Sequence, residues 1–444
     1  MNRSTAFIDE IDQVWNSPIP ESVMDRAKRS LLDYLSVTCA GTAFQKNKLE
    51  EYFNFLPAEK GAYKAIGTGK ELPLKEAVFL NGLNSHALDY DDGTNSGIIH
   101  LGAPVFSLLI PLSQINDIRV EEMLRATIIG YESSYTMAVS IQPEHKARGY
   151  HATGTCGTIG ATIAASYLLG FTEQERFRAF ARACVAASGM LKALDDGSEL
   201  KPYNVAKAAL LSLTSLQLGK AGFQGHPDPL GGRGFFKMMV GKEDLELKPT
   251  LLNGTYAIMK SYTKPYASCR YTHPAVEAAI RLRDKIKTED IQTIVIRTYS
   301  LAVSDHDHVE IPGSYSAKMS IPYATAAGLL YGKAGLQEFT DDAVKNKEIL
   351  DLVKKVRVEA DEKISAEFPG KQTAVVTITT KDETVSEQID YPKGEPENPL
   401  TDEEFEVRYY ALMKYAGIES DVCKSIYEKV CKDNVKVEEI VDAL

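Results

Sequence analysis

The stretch Ile291-Gln-Thr-Ile-Val-Ile-Arg-Thr-Tyr299 decides how the chain is read. Its β-branched residues make it a strand, and it follows roughly 265 residues that read as one helix after another. Downstream, Ala374–Thr380 and Thr384–Ile389 read as a strand pair joined by a Lys381-Asp382-Glu383 turn. His273-Pro274 opens a helix through Val276, Ala279 and Ile280, and two more helices fall near Ser320–Tyr331 and Asp341–Val356. Together these pieces make a small α+β unit. It ends in Tyr391-Pro-Lys-Gly-Glu-Pro-Glu-Asn-Pro399, a Pro-rich linker, after which the capping box Thr401-x-x-Glu404 returns the chain to helix as far as Leu444.

Upstream, Pro20 sits in a first helical turn, Val23, Ala27, Leu31 and Leu35 follow at helical spacing, and Gly41 ends the pattern. A second helix starts near Pro73 and runs through Val78, Phe79 and Leu83 towards His86 and Asp89. Gly102 to Ile115 is strongly apolar but holds Pro104 and Pro111, so it reads as a buried helix or turn. A helix of small residues spans Gly157 to Leu169. Thr172-x-x-Glu175 then caps the next one, and Val205 to Leu218 forms another. The expected architecture is mainly α with a smaller α+β part. A large all-helical domain is built from residues 1–265 and 396–444, with an α+β domain of residues 266–395 inserted between them.

The whole chain has 444 residues, 44% of them hydrophobic and 25% charged, which is globular composition and ample material for cores. Its net charge of -11 argues against binding the phosphate backbone of a nucleic acid. No stretch reaches the roughly 18 apolar residues of a membrane helix, and acids at Asp9, Glu10 and Asp12 interrupt the N-terminal segment where a signal peptide needs an apolar run. Six cysteines without a C-x-x-C pair suit a reducing, cytoplasmic setting.

An acidic protein that takes an anionic substrate must concentrate its useful cations in one place, and four segments do so. The first, Asn84 to Pro104, crowds His86, Asp89, Asp91, Asp92 and His100. If the helix continues through it, His86 and Asp89 share a face, where the carboxylate orients the ring or joins it on a metal. Two readings stay open here: solvated acids at a helix end, or an acid/base site where Gly93, Gly97 and Gly102 allow unusual turns around His100. In the second, Arg148 to Gly160, His151 and several hydroxyls precede a helix N-terminus suited to a carboxylate. Gly154, Gly157 and Gly160 lack a preceding strand, so Gly157 and Gly160 read as helix-packing positions and not as a dinucleotide loop. Lys201-Pro-Tyr-Asn-Val-Ala-Lys207 is the third. The fourth, Lys264-Pro-Tyr-Ala-Ser-Cys-Arg-Tyr-Thr-His-Pro274, places Lys264, Cys269, Arg270 and His273 at the junction between the two expected domains, where a cationic ligand cleft fits. Cys269 reads either as a nucleophile or as a buried structural thiol. Asp305-His-Asp-His308 reads as a polar loop in preference to a metal motif.

These segments together resemble the MmgE/PrpD family, whose members include 2-methylcitrate dehydratase, cis-aconitate decarboxylase and iminodisuccinate epimerase. The resemblance is carried by His86-Ala-Leu-Asp-Tyr-Asp-Asp92, His100-Leu-Gly-Ala-Pro104, Gly149-Tyr-His-Ala-Thr-Gly-Thr155, Lys201 to Ala209, Gly231-Gly-Arg-Gly-Phe-Phe236, Lys264 to Pro274 and Ser320-Ile-Pro-Tyr323. It implies a helical domain with an α+β lid, a homodimer, and an active site between the domains. The implied catalytic residues are Asp89, His100, His151 and Tyr323. Thr94 or Gly93 takes a threonine position, and Lys201 and Lys264 bind substrate together with the junction residues Cys269, Arg270 and His273. The implied function is a cofactor-free lyase, without a metal, that removes a proton next to a carboxylate of a small di- or tricarboxylate and so dehydrates or decarboxylates it. Epimerisation of an imino- or amino-dicarboxylate, and non-catalytic carboxylate binding, are the alternatives.

Overall fold

The computed structural model describes residues 2–56, 59–192, 200–249, 251 and 254–444. Helix takes 59% of the chain and strand 10%, so the molecule is mainly α with a smaller α+β part. The helices Glu21–Phe44, Leu74–Ser85, Gly102–Ile115, Val120–Ile141, Ala152–Leu168 and Lys201–Lys220 pack around a core that includes Leu35, Phe106, Ile129, Ile163 and Leu213. Phe405 and Ile426, from the C-terminal helices Asp402–Tyr415 and Ser420–Cys431, enter the same core. The apolar stretch is indeed a helix, buried from Gly102 to Ser113 with Pro111 inside it.

Small residues let these helices approach closely. A Cβ placed on Gly160 would lie 1.8 Å from Ser134 Oγ, and one on Gly157 would lie 2.9 Å from Pro104 Cγ. Both positions therefore serve helix packing. The helix that carries them starts at Ala152, five residues before the sequence suggests, because packing on all sides outweighs the weak helix propensity of its Thr-Gly-Thr turn. That earlier start puts His151 at the N-cap.

A hairpin of β1 (Tyr63–Ala65) and β2 (Lys70–Leu72) decorates the helical part. The second core lies over a four-stranded sheet of β3 (Ile291–Thr298), β4 (Val356–Ala360), β5 (Ala374–Thr380) and β6 (Thr384–Ile389), in the order β4-β3-β5-β6. β3 runs parallel to β4, with Ile294 opposite Val356, and antiparallel to β5, with Ile296 opposite Val376. The helices His273–Arg283 and Ile321–Tyr331 cover the sheet, and Val276, Ile294, Leu329 and Ile378 meet in its core. Leu88, Tyr90 and Leu412 reach into this core from the other part of the chain. One expectation is corrected: the helix Lys347–Val353 ends early, and Val356 begins a strand. β4 is an edge strand with a mostly half-exposed face, and its pairing with β3 is a long-range fact that local pattern does not carry. No helix among the described residues is long and apolar enough to cross a membrane.

Candidate active site

The helix Leu74–Ser85 stops one residue before His86, so His86 and Asp89 do not share a helix face as the sequence suggested. The chain instead turns, and Asp89 adopts φ 50°. Left-handed backbone is strained for a residue with a side chain, though Asp tolerates it better than most, and such strain concentrates where a side chain must be aimed. Ile98, nine residues on, is at φ 49°, a harder position for a β-branched residue. The glycines of this loop serve close approach instead: a Cβ on Gly93 would meet Tyr262 Oη at 2.5 Å, and one on Gly102 would meet Tyr131 Oη at 2.5 Å.

Asp89 is the hub of the site. Its Oδ1 accepts from Lys201 Nζ at 2.7 Å and from Lys264 Nζ at 2.9 Å, and Lys264 also donates to the Asp89 carbonyl at 2.5 Å. Burial opposes the charge on Asp89, but Lys201 and Lys264, helped by His100 and His86, outweigh it and hold the carboxyl well below the usual carboxylate range. Burial likewise works against the Lys201 ammonium, and Asp89 reverses this, leaving its pKa raised.

His100 stands beside this hub, with Nε2 3.8 Å from Asp89 Oδ1. Its Nδ1 lies 2.8 Å from the Asp92 carbonyl and 3.1 Å from Asp91 Oδ2. A carbonyl only accepts, so Nδ1 carries the proton and Nε2 keeps its lone pair. Burial pushes the His100 pKa down to about 4 against the pull of Asp91, so the ring is a neutral base at neutral pH. His86 donates from Nδ1 to Asp91 Oδ1 at 2.7 Å, and its ring lies 4.4 Å from that of His100, centroid to centroid. His151 is the N-cap residue of the helix Ala152–Leu168, its ring making no capping bond, and burial and Lys201 hold it well below the usual imidazole range.

Except for His86, which lies behind His100, these groups open onto one cavity of about 60 Å³. Asp89, Thr94, His100, His151, Lys201, Lys264, Cys269 and Arg270 all line it. Two expected residues stand apart. Tyr323, expected to act on the reacting atoms, is buried in the second core. Its hydroxyl donates to the Glu338 carbonyl at 2.8 Å, and it is not among the cavity-lining residues. The reason is that Ser320 caps the helix Ile321–Tyr331, which turns Tyr323 towards Phe339. His273 spends both ring nitrogens within the protein, accepting from Arg270 Nη1 at 2.8 Å and donating from Nε2 to the Ser268 carbonyl at 3.2 Å, and so props Arg270 from behind. Arg270 is also held by Glu395, whose carboxylate accepts from Nε at 2.8 Å and from Asn95 as well. Glu395 belongs to the Pro-rich linker, which thus braces the cavity.

Reading the sequence missed Lys146, Tyr262, Tyr271 and His306, which also line the cavity. Lys146 sits 4.9 Å over the Tyr271 ring and had no local signal. His306 lay within the Asp305-His-Asp-His308 motif, but as part of a polar loop. Among the described residues, Lys146, Lys201, Lys264 and Arg270 line the cavity with one carboxylate, Asp89, so this lining is cationic although the chain is acidic. His86, Asp89, Asp91 and His100 also bring ligand-type atoms within 4.8 Å of one another. A divalent cation there would have to share Asp89 with two ammonium groups, which is electrostatically unfavourable.

Family models for the MmgE/PrpD N-terminal and C-terminal domains match residues 6–248 and 266–433. Cis-aconitate decarboxylase of Mus musculus is 25% identical over 447 residues, covering 96% of this chain and 88% of the relative. A cis-aconitate decarboxylase-like protein of Aspergillus oryzae is 24% identical, covering 93% and 90%. The mitochondrial 2-methylcitrate dehydratase of Yarrowia lipolytica is 24% identical over 253 residues, covering 53% of this chain and 48% of the relative.

Proposed function

The chain belongs to the MmgE/PrpD family, and from that premise we propose that it is a cofactor-free lyase that dehydrates or decarboxylates a small di- or tricarboxylate. The observation that carries this reading is His100: a neutral imidazole with its Nε2 lone pair open to a cavity walled by four basic side chains. In a dehydration such a ring takes the proton from carbon and the β-hydroxyl leaves as water, whereas in a decarboxylation the carbon that loses carbon dioxide gains a proton. In both, the charge that develops goes to a neighbouring carboxylate and must be held there. Lys201 supplies the held charge, fixed by Asp89 so that no rearrangement is needed as the reaction proceeds. The N-terminus of the helix Ala152–Leu168, beside His151, offers a second anchor for a carboxylate. Lys146 and Arg270 complete the cationic wall. Tyr323 has no part in this scheme, because its hydroxyl is committed to Glu338.

The test is turnover of cis-aconitate, citrate and 2-methylcitrate by protein dialysed against EDTA, run in deuterated water and followed by mass spectrometry. Loss of water or carbon dioxide by the metal-free protein is the expected result. Deuterium uptake without such loss would instead mean epimerisation. Binding without any exchange would mean a carboxylate-binding protein. Activity lost on EDTA and restored by a divalent cation would overturn the cofactor-free reading.

A further inference from the structure

The same cavity holds a pair that the scheme above leaves unused. Cys269 lines the cavity, and its Sγ is 3.9 Å from His306 Nε2. The other ring nitrogen, Nδ1, is 2.9 Å from the Met319 carbonyl. A carbonyl only accepts, so Nδ1 carries the hydrogen and Nε2 presents a lone pair to the thiol. The Cys269 backbone is pinned, its N–H donating to the Lys318 carbonyl at 2.8 Å.

We propose that Cys269 and His306 form a nucleophile–base pair that captures small α,β-unsaturated carboxylates covalently. His306 takes the thiol proton. The sulfur lone pair forms a bond to the β-carbon, the π bond breaks, and its electron pair moves to the α-carbon, where the adjacent carboxylate carries the charge. The proton held by His306 then returns to the α-carbon. The product is a thioether with no net oxidation. The cationic wall selects an anionic electrophile, and the choice of an unsaturated carboxylate rests on the lyase reading, because loss of water from a β-hydroxy acid leaves a double bond beside a carboxylate.

The electrostatics agree with the geometry. Burial raises the Cys269 pKa, but His306 more than reverses this, with help from Lys201 and against Asp89, and brings it down to about 7. Lys146, Tyr271 and Tyr299 also stand in the field of Cys269, and Asp305 acts on Lys146 and Tyr271. The other thiols go the opposite way: burial pushes Cys39 and Cys156 up to about 12, and raises Cys184, Cys423 and Cys431.

The full chain is alkylated with iodoacetate, and separately with iodoacetamide, between about pH 5 and about pH 9, and the cysteines are quantified by peptide mass spectrometry. Cys269 is expected to react with a midpoint near pH 7. At neutral pH it should outpace the exposed Cys431 about tenfold, with iodoacetate preferred over iodoacetamide. Incubation with fumarate is expected to add one fumarate mass at Cys269, and none to Cys269→Ser. His306→Asn, or His306→Gln if the first melts early, should move the midpoint up by about one unit or more while the melting temperature holds. Labelling of Cys269 no faster than Cys431, an unshifted profile in the His306 variants, or labelling without a fumarate adduct would each overturn the proposal. Turnover is assayed on the same preparation. A chain that labels as expected but turns nothing over keeps the pair and loses the lyase reading, whereas turnover with an inert Cys269 does the reverse.

Discussion

At the residue scale, Asp89 decides whether two buried ammonium groups can exist at all. Asp89→Asn leaves Lys201 and Lys264 facing each other without a counter-charge, a change of the kind that costs about 3–5 kcal/mol. Urea denaturation should show that loss, and turnover should fall by about 10²-fold or more. Lys201→Met leaves Lys264 on Asp89 and should cost less stability while still removing the charge that holds the substrate. The histidines set a pH response. His100 and His145 are neutral in the fold because burial pushes each down to about 4, and burial likewise holds His151 and His273 well below the usual imidazole range. In the unfolded chain each takes up a proton below about pH 6.5. The unfolded state then binds more protons, so stability is lost as pH falls. From about pH 6.5 to about pH 4, each ring contributes up to about 1.4 kcal/mol per pH unit. The effect of Asp89 lies below that window, because its carboxyl is held down and its contribution vanishes only as pH falls below the usual carboxylate range. Asp92, raised to about 6 by burial, works the other way and offsets about one ring, so urea midpoints across the window should still drop; a rise as pH falls would mean that these rings are protonated in the fold.

At the element scale, helix starts and helix contacts hold the site in shape. His151 reaches the cavity only because the helix Ala152–Leu168 begins where it does, and that helix lies tight against Val120–Ile141. Gly160→Ala adds a methyl group at 1.8 Å from Ser134 Oγ and 2.6 Å from the Gly130 carbonyl. The serine can turn away, but the carbonyl cannot, so overpacking of about 1–3 kcal/mol should outweigh the 0.5–1 kcal/mol, roughly, that Ala gains over Gly in a helix. Thermal denaturation should rank Gly160→Ala below Gly157→Ala, whose nearest neighbour is the Pro104 ring at 2.9 Å. Capping boxes and β-branched runs are local signals, so Thr172, Thr401, β3, β5 and β6 were readable from the sequence. β4 was not, because its partner β3 lies some sixty residues away. The same distinction runs through the site. Asp89, His100, His151, Lys201 and Lys264 stand in dense local clusters of chemical residues, whereas Lys146 and His306 join the cavity through tertiary folding alone. The misplacement of Tyr323 has the same origin: a motif fixes where a side chain begins and leaves open what its hydroxyl meets.

At the scale of the whole molecule, the two ends of the chain close on the site through one residue. Arg408, on the C-terminal helix Asp402–Tyr415, pairs with Asp33 on the N-terminal helix Glu21–Phe44, both buried. The same guanidinium donates from Nε to the Lys264 carbonyl at 2.6 Å and from Nη2 to the Tyr90 carbonyl at 2.9 Å, and it lies 4.3 Å over the Tyr90 ring. Arg408 therefore holds the backbone on either side of the Asp89–Lys264 contact without touching the cavity. Arg408→Met removes these bonds and leaves Asp33 buried without its partner, for which about 3–5 kcal/mol is expected in urea denaturation. The double variant Arg408→Met with Asp33→Asn removes the stranded charge and should recover part of that stability. It restores nothing to the Tyr90 and Lys264 carbonyls, so the hub they carry stays loose and turnover should remain low. Stability that returns while turnover does not would assign Arg408 a positioning role. Recovery of both together would reduce it to one half of a structural ion pair.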